Sequence, residues 1–178
     1  MPTIDHVNLF LTWGEVEGIV CSGIDKGKKT TYALLDERVP PTRELCREEA
    51  LARLASRYFQ SHSPAQLQDF VWWSGLTATE CRLAINLINT ELITETFDSR
   101  EYFIHQSWKG KNESKPVLRL LPAFDEYLIS YKNRTDVLPL EHHPKAFNRF
   151  GTFYPVILYN GKIIGNWSRS IKKKSPFK

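Results

Sequence analysis

Between residues 47 and 89 the apolar positions recur at helical spacing. From Arg47 to Gln60 a stripe of Ala50, Leu51, Leu54, Ala55, Tyr58 and Phe59 predicts one amphipathic helix. The stretch SPAQLQDFVWWSGLTATECRLAINLIN, residues 63–89, then reads as two short helices joined by a tight turn. Ser63 is expected to cap the first, with Pro64 in its first turn and Gln66 completing a Ser-x-x-Gln capping box. Phe70, Val71, Trp72 and Trp73 form an apolar block expected in the core. Ser74-Gly75-Leu76 breaks the helix, and Thr77-x-x-Glu80 is a second capping box. Cys81, Ala84, Ile85 and Ile88 then share one helical face. The period changes in LITETF and EYFIH, which flank Asp98-Ser99-Arg100 as a β-hairpin. Three helices and a hairpin make a winged helix over residues 42–106.

The N-terminal pattern repeats the later half of that unit. Residues 5–17 read as a helix with Val7, Phe10, Leu11 and Trp13 on its apolar side. The runs IVCSG and KKTTYALL come next around an Asp25-Lys26-Gly27 turn, a second hairpin. Residues 1–39 are therefore expected to be the second half of a winged helix, so that Met1 falls inside a domain. After the polar loop SWKGKNESKP comes a C-terminal unit, residues 116–178. It comprises the strand VLRLL, a short helix with Phe124, Leu128 and Tyr131 inward, an irregular stretch, and a hairpin on Asn160-Gly161. VLRLL can pair with that hairpin, but the unit looks incomplete. The fold class is α+β: a partial winged helix, one complete winged helix and a small C-terminal β unit.

Charge changes the functional picture. The 178 residues carry a formal net charge of +4, yet no Asp or Glu follows Glu141. Lys145, Arg149, Lys162, Arg169, Lys172, Lys173, Lys174 and Lys178 make the C-terminal fifth basic, and residues 1–141 sum to −4. The second helix of the 63–89 pair presents Thr79, Glu80, Arg82, Asn86 and Asn89 outward. Arg and Asn suit base reading, but Glu80, Glu91, Glu95, Asp98 and Glu101 outnumber Arg82 and Arg100 on that helix and its hairpin. An acidic surface docks poorly on phosphate. Phosphate contact is expected instead from Lys26, Lys28 and Lys29 at the first hairpin tip, and from a patch of Arg149, Lys162, Arg169 and Lys172, Lys173, Lys174. No apolar run approaches membrane-spanning length, and the N-terminus is not a signal peptide. The three dispersed cysteines argue against a disulfide framework or a zinc site and suit a reducing cytoplasm. His142-His143 lacks a supporting ligand cluster, so neither metal nor cofactor is expected.

TYALLDERVPP (31–41), RYF with SPAQLQDFVWWSGLT (57–77), LLPAFDEYLISYKNR (120–134) and YPVILYNGKIIGNW (154–167) together resemble the winged-helix proteins of the AlkZ/YcaQ type, a bacterial DNA glycosylase superfamily. The resemblance spans about residues 5–172, and WWSGL and LLPxFDEYLxxYxxR are its specific phrases. It implies tandem winged helices and a C-terminal β domain around a basic channel for duplex DNA. It also implies metal-free cleavage of the glycosidic bond of alkylated bases by a Gln-x-Gln or Gln-x-Asp pair near the family's N-terminus. Only the later part of a member is matched, so that pair is expected to precede Met1. Gln66-Leu67-Gln68 spells the motif but is read as a helix start. The resemblance also draws Asp125, Tyr131 and Arg134 into view, with Arg134 as a phosphate ligand. The expected function is non-specific binding of double-stranded DNA in the cytoplasm, without glycosylase activity in this chain. Two alternatives stay open. One is an active glycosylase, extended upstream or using Asp125. The other is a non-catalytic module that binds a protein partner or a missing N-terminal domain.

Overall fold

The structure, a computed structural model, describes residues 6–41, 43–110 and 115–170. The chain divides into two compact units, residues 1–45 and 46–178. The first holds α1 (His6–Val16), β1 (Val20–Ser22), β2 (Tyr32–Leu34) and α2 (Leu35–Arg38). β1 and β2 pair antiparallel, with Val20 opposite Leu34 and Ser22 opposite Tyr32. The ribbon continues beyond the strands: Gly23 N donates to Thr31 O at 2.7 Å, and Lys26 and Lys29 exchange backbone hydrogen bonds. Gly23 is required there, because a Cβ would lie 2.4 Å from Thr31 Oγ1. The expected apolar face of α1 is mostly uncovered, with Val7, Phe10 and Trp13 all more than 60% exposed and Leu11 half-buried. Two three-residue strands give this small unit little surface to bury them.

The second unit opens with α3 (Arg47–His62), α4 (Leu67–Ser74) and α5 (Ala78–Leu87), then β3 (Leu92–Phe97) and β4 (Arg100–His105). Leu51, Ala55, Tyr58 and Phe59 from α3, Phe70 from α4, and Cys81, Ala84 and Ile88 from the α5 segment form one buried cluster. Tyr58, Phe59 and Phe70 have ring centroids 5.0–5.5 Å apart. Each such fully buried ring contributes roughly 1.5–3 kcal/mol. Ala50 is exposed, one step off the stripe. The second capping box forms as expected: Thr77 Oγ1 accepts from Glu80 N, and Glu80 Oε2 accepts from Thr77 N. The first does not. Ser63 closes α3 instead, with its hydroxyl donating to Phe59 O and accepting from His105 N. Gln66 is the residue that caps α4, and Asp69 Oδ2 accepts the Gln66 N–H at 2.9 Å. The aromatic block is also only partly core, since Trp72 is 53% and Trp73 37% exposed.

β3 and β4 turn through Asp98 and Ser99, both at positive φ, so Arg100 belongs to the strand. Beyond residue 115, β5 (Leu118–Leu121), α6 (Glu126–Ile129), α7 (His143–Ala146), β6 (Val156–Tyr159) and β7 (Lys162–Asn166) complete the unit. β5, β6 and β7 form an antiparallel sheet in that order, so VLRLL does pair with the C-terminal hairpin. Asn160 and Gly161 take the positive φ values that its two-residue turn demands. Leu128, Leu138, Ala146, Val156, Leu158 and Ile163 make a second buried cluster. Phe124, expected inward, sits at φ 58° and is 57% exposed, because its left-handed turn aims the ring outward. Helices with small antiparallel sheets make the chain α+β, as expected.

Candidate nucleic-acid interface

The hairpin of the first unit carries three lysines at its tip. Lys26 and Lys29 close the turn with reciprocal bonds of 3.0 and 3.2 Å, and Gly27 supplies φ 66° between them. Lys26, Lys28 and Lys29 are all exposed. The ribbon below is braced by Thr31 Oγ1 donating to Ile24 O at 2.7 Å.

In the second unit the cations named from the sequence differ in what they already hold. Arg134, expected to hold phosphate, is half-buried and bonded to the protein's own backbone. Its Nε, Nη1 and Nη2 donate to the backbone oxygens of Leu128, Lys132 and Ile129. Its guanidinium also lies 5.2–5.7 Å from the ring centres of Trp72, Phe147 and Phe153. Burial lowers its pKa. Lys162 is exposed but donates through Nζ to Asp136 O. Arg100 grips the Asp136 carboxylate with both Nη atoms, at 2.7 and 3.2 Å, and Tyr102 Oη adds a third bond at 2.7 Å. Burial opposes the Asp136 charge, yet these bonds hold its carboxyl below the ordinary range. Tyr102 is pushed up to about 12 by burial and by that carboxylate. Arg47 is paired with Glu80. Arg149 and Arg169 are exposed. Lys172, Lys173 and Lys174 lie outside the described residues.

Asp69 was not singled out by sequence reasoning. It is 3% exposed. Besides capping α4, its Oδ1 accepts from Lys132 N at 2.9 Å and Asn133 N at 3.3 Å, pinning the helices to the turn after α6. Placing the start of α4 at Gln66 would have exposed it as the partner in a Gln-x-x-Asp box. Trp72 Nε1 donating to Ile129 O and Tyr131 Oη donating to His62 O are further pins. Asp69 and Tyr131 also line a cavity of about 250 Å³ together with Gln66, Tyr102, Tyr127 and Asp136, among others. The three tyrosine hydroxyls there donate to Asp136, Gly161 and His62 respectively.

Gln66 is the cap of α4, Gln68 is exposed, and the Asp125 carboxylate caps α6 by accepting from Tyr127 N at 3.0 Å. On α5, Thr79, Arg82 and Asn86 are exposed and Glu80 is half-buried against Arg47, while Asn89, also exposed, lies in the 3-10 turn after the helix.

This architecture recurs within part of a solved structure. The solved structure of the Streptomyces sahachiroi DNA glycosylase AlkZ superposes with a TM-score of 0.77 at 22% identity, covering 92% of this chain and 48% of that one. The profile of the "DNA glycosylase AlkZ-like" family matches residues 9–175, and the chain belongs to that family. An interstrand DNA cross-link repair glycosylase from the same organism is 25% identical over 170 residues, 87% of this chain and 46% of that protein. The chain thus spans about half the length of the relatives it matches. No helix among the described residues is long and apolar enough to cross a membrane.

Proposed function

We propose that this chain binds double-stranded DNA without sequence preference, as part of the DNA-handling surface of an AlkZ-like glycosylase, and acts in the bacterial cytoplasm. The two helix-and-hairpin arrays are taken as winged helices, the first partial and the second complete, over residues 1–39 and 42–106, with residues 116–178 as the C-terminal β unit. The observation that carries the reading is the braced hairpin tip of Lys26, Lys28 and Lys29, whose cations project from a ribbon held by its own backbone bonds. Arg149 and Arg169 supply further phosphate contacts from the second unit. The acidic face of α5 serves as scaffold, and the inward bonds of Arg134 and Lys162 make them architectural.

Base excision is assigned to neither Gln66 nor Gln68, because one is spent as a cap and the other is a solvated helix position. The test is a salt titration of duplex binding, run beside a base-release assay on alkylated duplex. Log K should fall steeply with log salt, and replacing Lys26, Lys28 and Lys29 by Gln should reduce that slope by up to about three. Absence of binding at low salt would overturn the reading. Base release that depends on Gln66 or Gln68 would overturn the assignment of catalysis elsewhere.

A further inference from the structure

The segment between α7 and β6 presents an aromatic ring on a rigid mount. Phe147 and Phe153 pair as an antiparallel bridge with ring centroids 5.1 Å apart, and the Arg134 guanidinium packs against both. The loop between them is organised by Asn148. Its backbone N donates to Thr152 O at 3.0 Å, and its Oδ1 accepts from Phe150 N at 2.9 Å and Thr152 N at 3.1 Å. Its Nδ2 donates to Tyr154 Oη at 3.2 Å. Gly151 N closes the turn on Asn148 O, at φ 79°. At the tip Phe150 is 78% exposed, and its ring is covered on one face by the Arg149 guanidinium, 4.8 Å from the ring centre. Among the described residues no carboxylate pairs with Arg149, and no acid follows Glu141 in the sequence.

We propose that this turn is a wedge for duplex DNA. The Phe150 ring enters a base-pair step from the minor groove, and Arg149 swings from the ring face to a phosphate flanking that step. This deepens, and rests on, the reading of the chain as a duplex binder. The chemistry comes from the parts. An apolar ring inserted between bases partly unstacks them and kinks the duplex, which costs a few kcal/mol per step. The return comes from base–aromatic stacking and from removing an exposed ring from water. A flexible tip would also lose ordering entropy on insertion, whereas this one is already held by the Asn148 bonds. The cation leaving the ring meets a phosphate, so its charge is neutralised rather than stranded. Pyrimidine–purine and mismatched steps unstack most cheaply, so the wedge favours them without reading base edges.

The experiment uses the full chain and a duplex carrying 2-aminopurine at a central mismatch, with Kd and fluorescence measured over a salt series. The wild type should raise the fluorescence as the base unstacks. Phe150→Ala should abolish that rise and weaken binding roughly tenfold, the scale of one stacked base, with the salt slope unchanged. Phe150→Trp should keep both signals. Phe150 is surface-exposed, so thermal melting should show both variants folded like the wild type. If the wild type binds but Phe150→Ala matches it in affinity and fluorescence, the wedge is refuted while duplex binding stands. If the wild type fails to bind at low salt, duplex binding itself fails and the wedge with it.

Discussion

Removing the Asp69 carboxylate tests whether the helical cluster and the turn after α6 are one structure. Asp69→Ala deletes the acceptor for Gln66 N at 2.9 Å, Lys132 N at 2.9 Å and Asn133 N at 3.3 Å. Hydrogen bonds to a charged group contribute roughly 1.5–3 kcal/mol each. The longest of the three counts at the low end, and Lys132 and Asn133 are exposed, so water can replace part of what is lost. The expected cost is then about 3–5 kcal/mol, a large share of the roughly 5–15 kcal/mol that separates native from unfolded domains. For a domain of this size that corresponds to a fall in Tm of roughly 10–20 °C. Asp69→Asn keeps one oxygen but turns an amide N–H₂ toward a backbone donor, and should cost roughly half as much. The assay is calorimetric or circular-dichroism melting of the full chain, with urea unfolding as a check on ΔG. A Tm for Asp69→Ala within about 3 °C of wild type, under 1 kcal/mol on the same scale, would refute the claim that this carboxylate joins the two parts.

Two further outcomes separate architecture from DNA contact and bring in pH. Arg134→Met keeps apolar bulk against Trp72, Phe147 and Phe153 but removes the donors to three backbone oxygens. It should destabilise by about 1–3 kcal/mol and leave the salt slope of DNA binding unchanged. A slope reduced by about one with stability intact would restore the phosphate-ligand role. Stability should also fall at both ends of the pH scale. Burial raises the hydroxyls of Tyr58, Tyr131 and Tyr102, the last to about 12 from the ordinary 10.0. The folded state therefore holds these protons more tightly, and their contribution is full below pH 10 and falls progressively as pH rises above it, that of Tyr102 being lost by about 12. Asp136 has the opposite sign, since its lowered pKa contributes above the ordinary 3.8 and is lost in acid below it. Urea midpoints at pH 3, 8 and 11.5 check both limbs. Equal midpoints at pH 8 and 11.5 would refute the alkaline limb, and Tyr102→Phe should shallow it.

The features legible in the sequence are those whose partners sit a few residues away. Thr77 and Glu80 are three apart and form the expected box, and Asn160-Gly161 dictates its own turn. Two features that escape it depend on partners 42 and 57 residues distant. Ser63 has the residue type and spacing of a cap for α4, but the His105 backbone and the last turn of α3 claim its hydroxyl. Trp72 has the size of a core residue, yet its indole N–H is spent on Ile129 O and one face on Arg134, which lets a 53% exposed tryptophan serve as a clamp. The same physics limits an inference from charge. A count of bases places the attraction for phosphate in the C-terminal fifth, but a count cannot distinguish Lys162, whose ammonium is bonded to Asp136 O, from Arg149, whose guanidinium lies over an aromatic ring. Phosphate competes for a cation against whatever that cation already holds, so the free-energy gain on binding is largest where the existing partner is weakest. By that criterion the lysine tip at 26–29, Arg149 and Arg169 are the proposed contacts among the cations named from the sequence, and the tip and the turn at 149–150 stand on backbone-braced loops. Arg100, Arg134 and Lys162 are left to hold the hairpin, the α6 turn and the small sheet together.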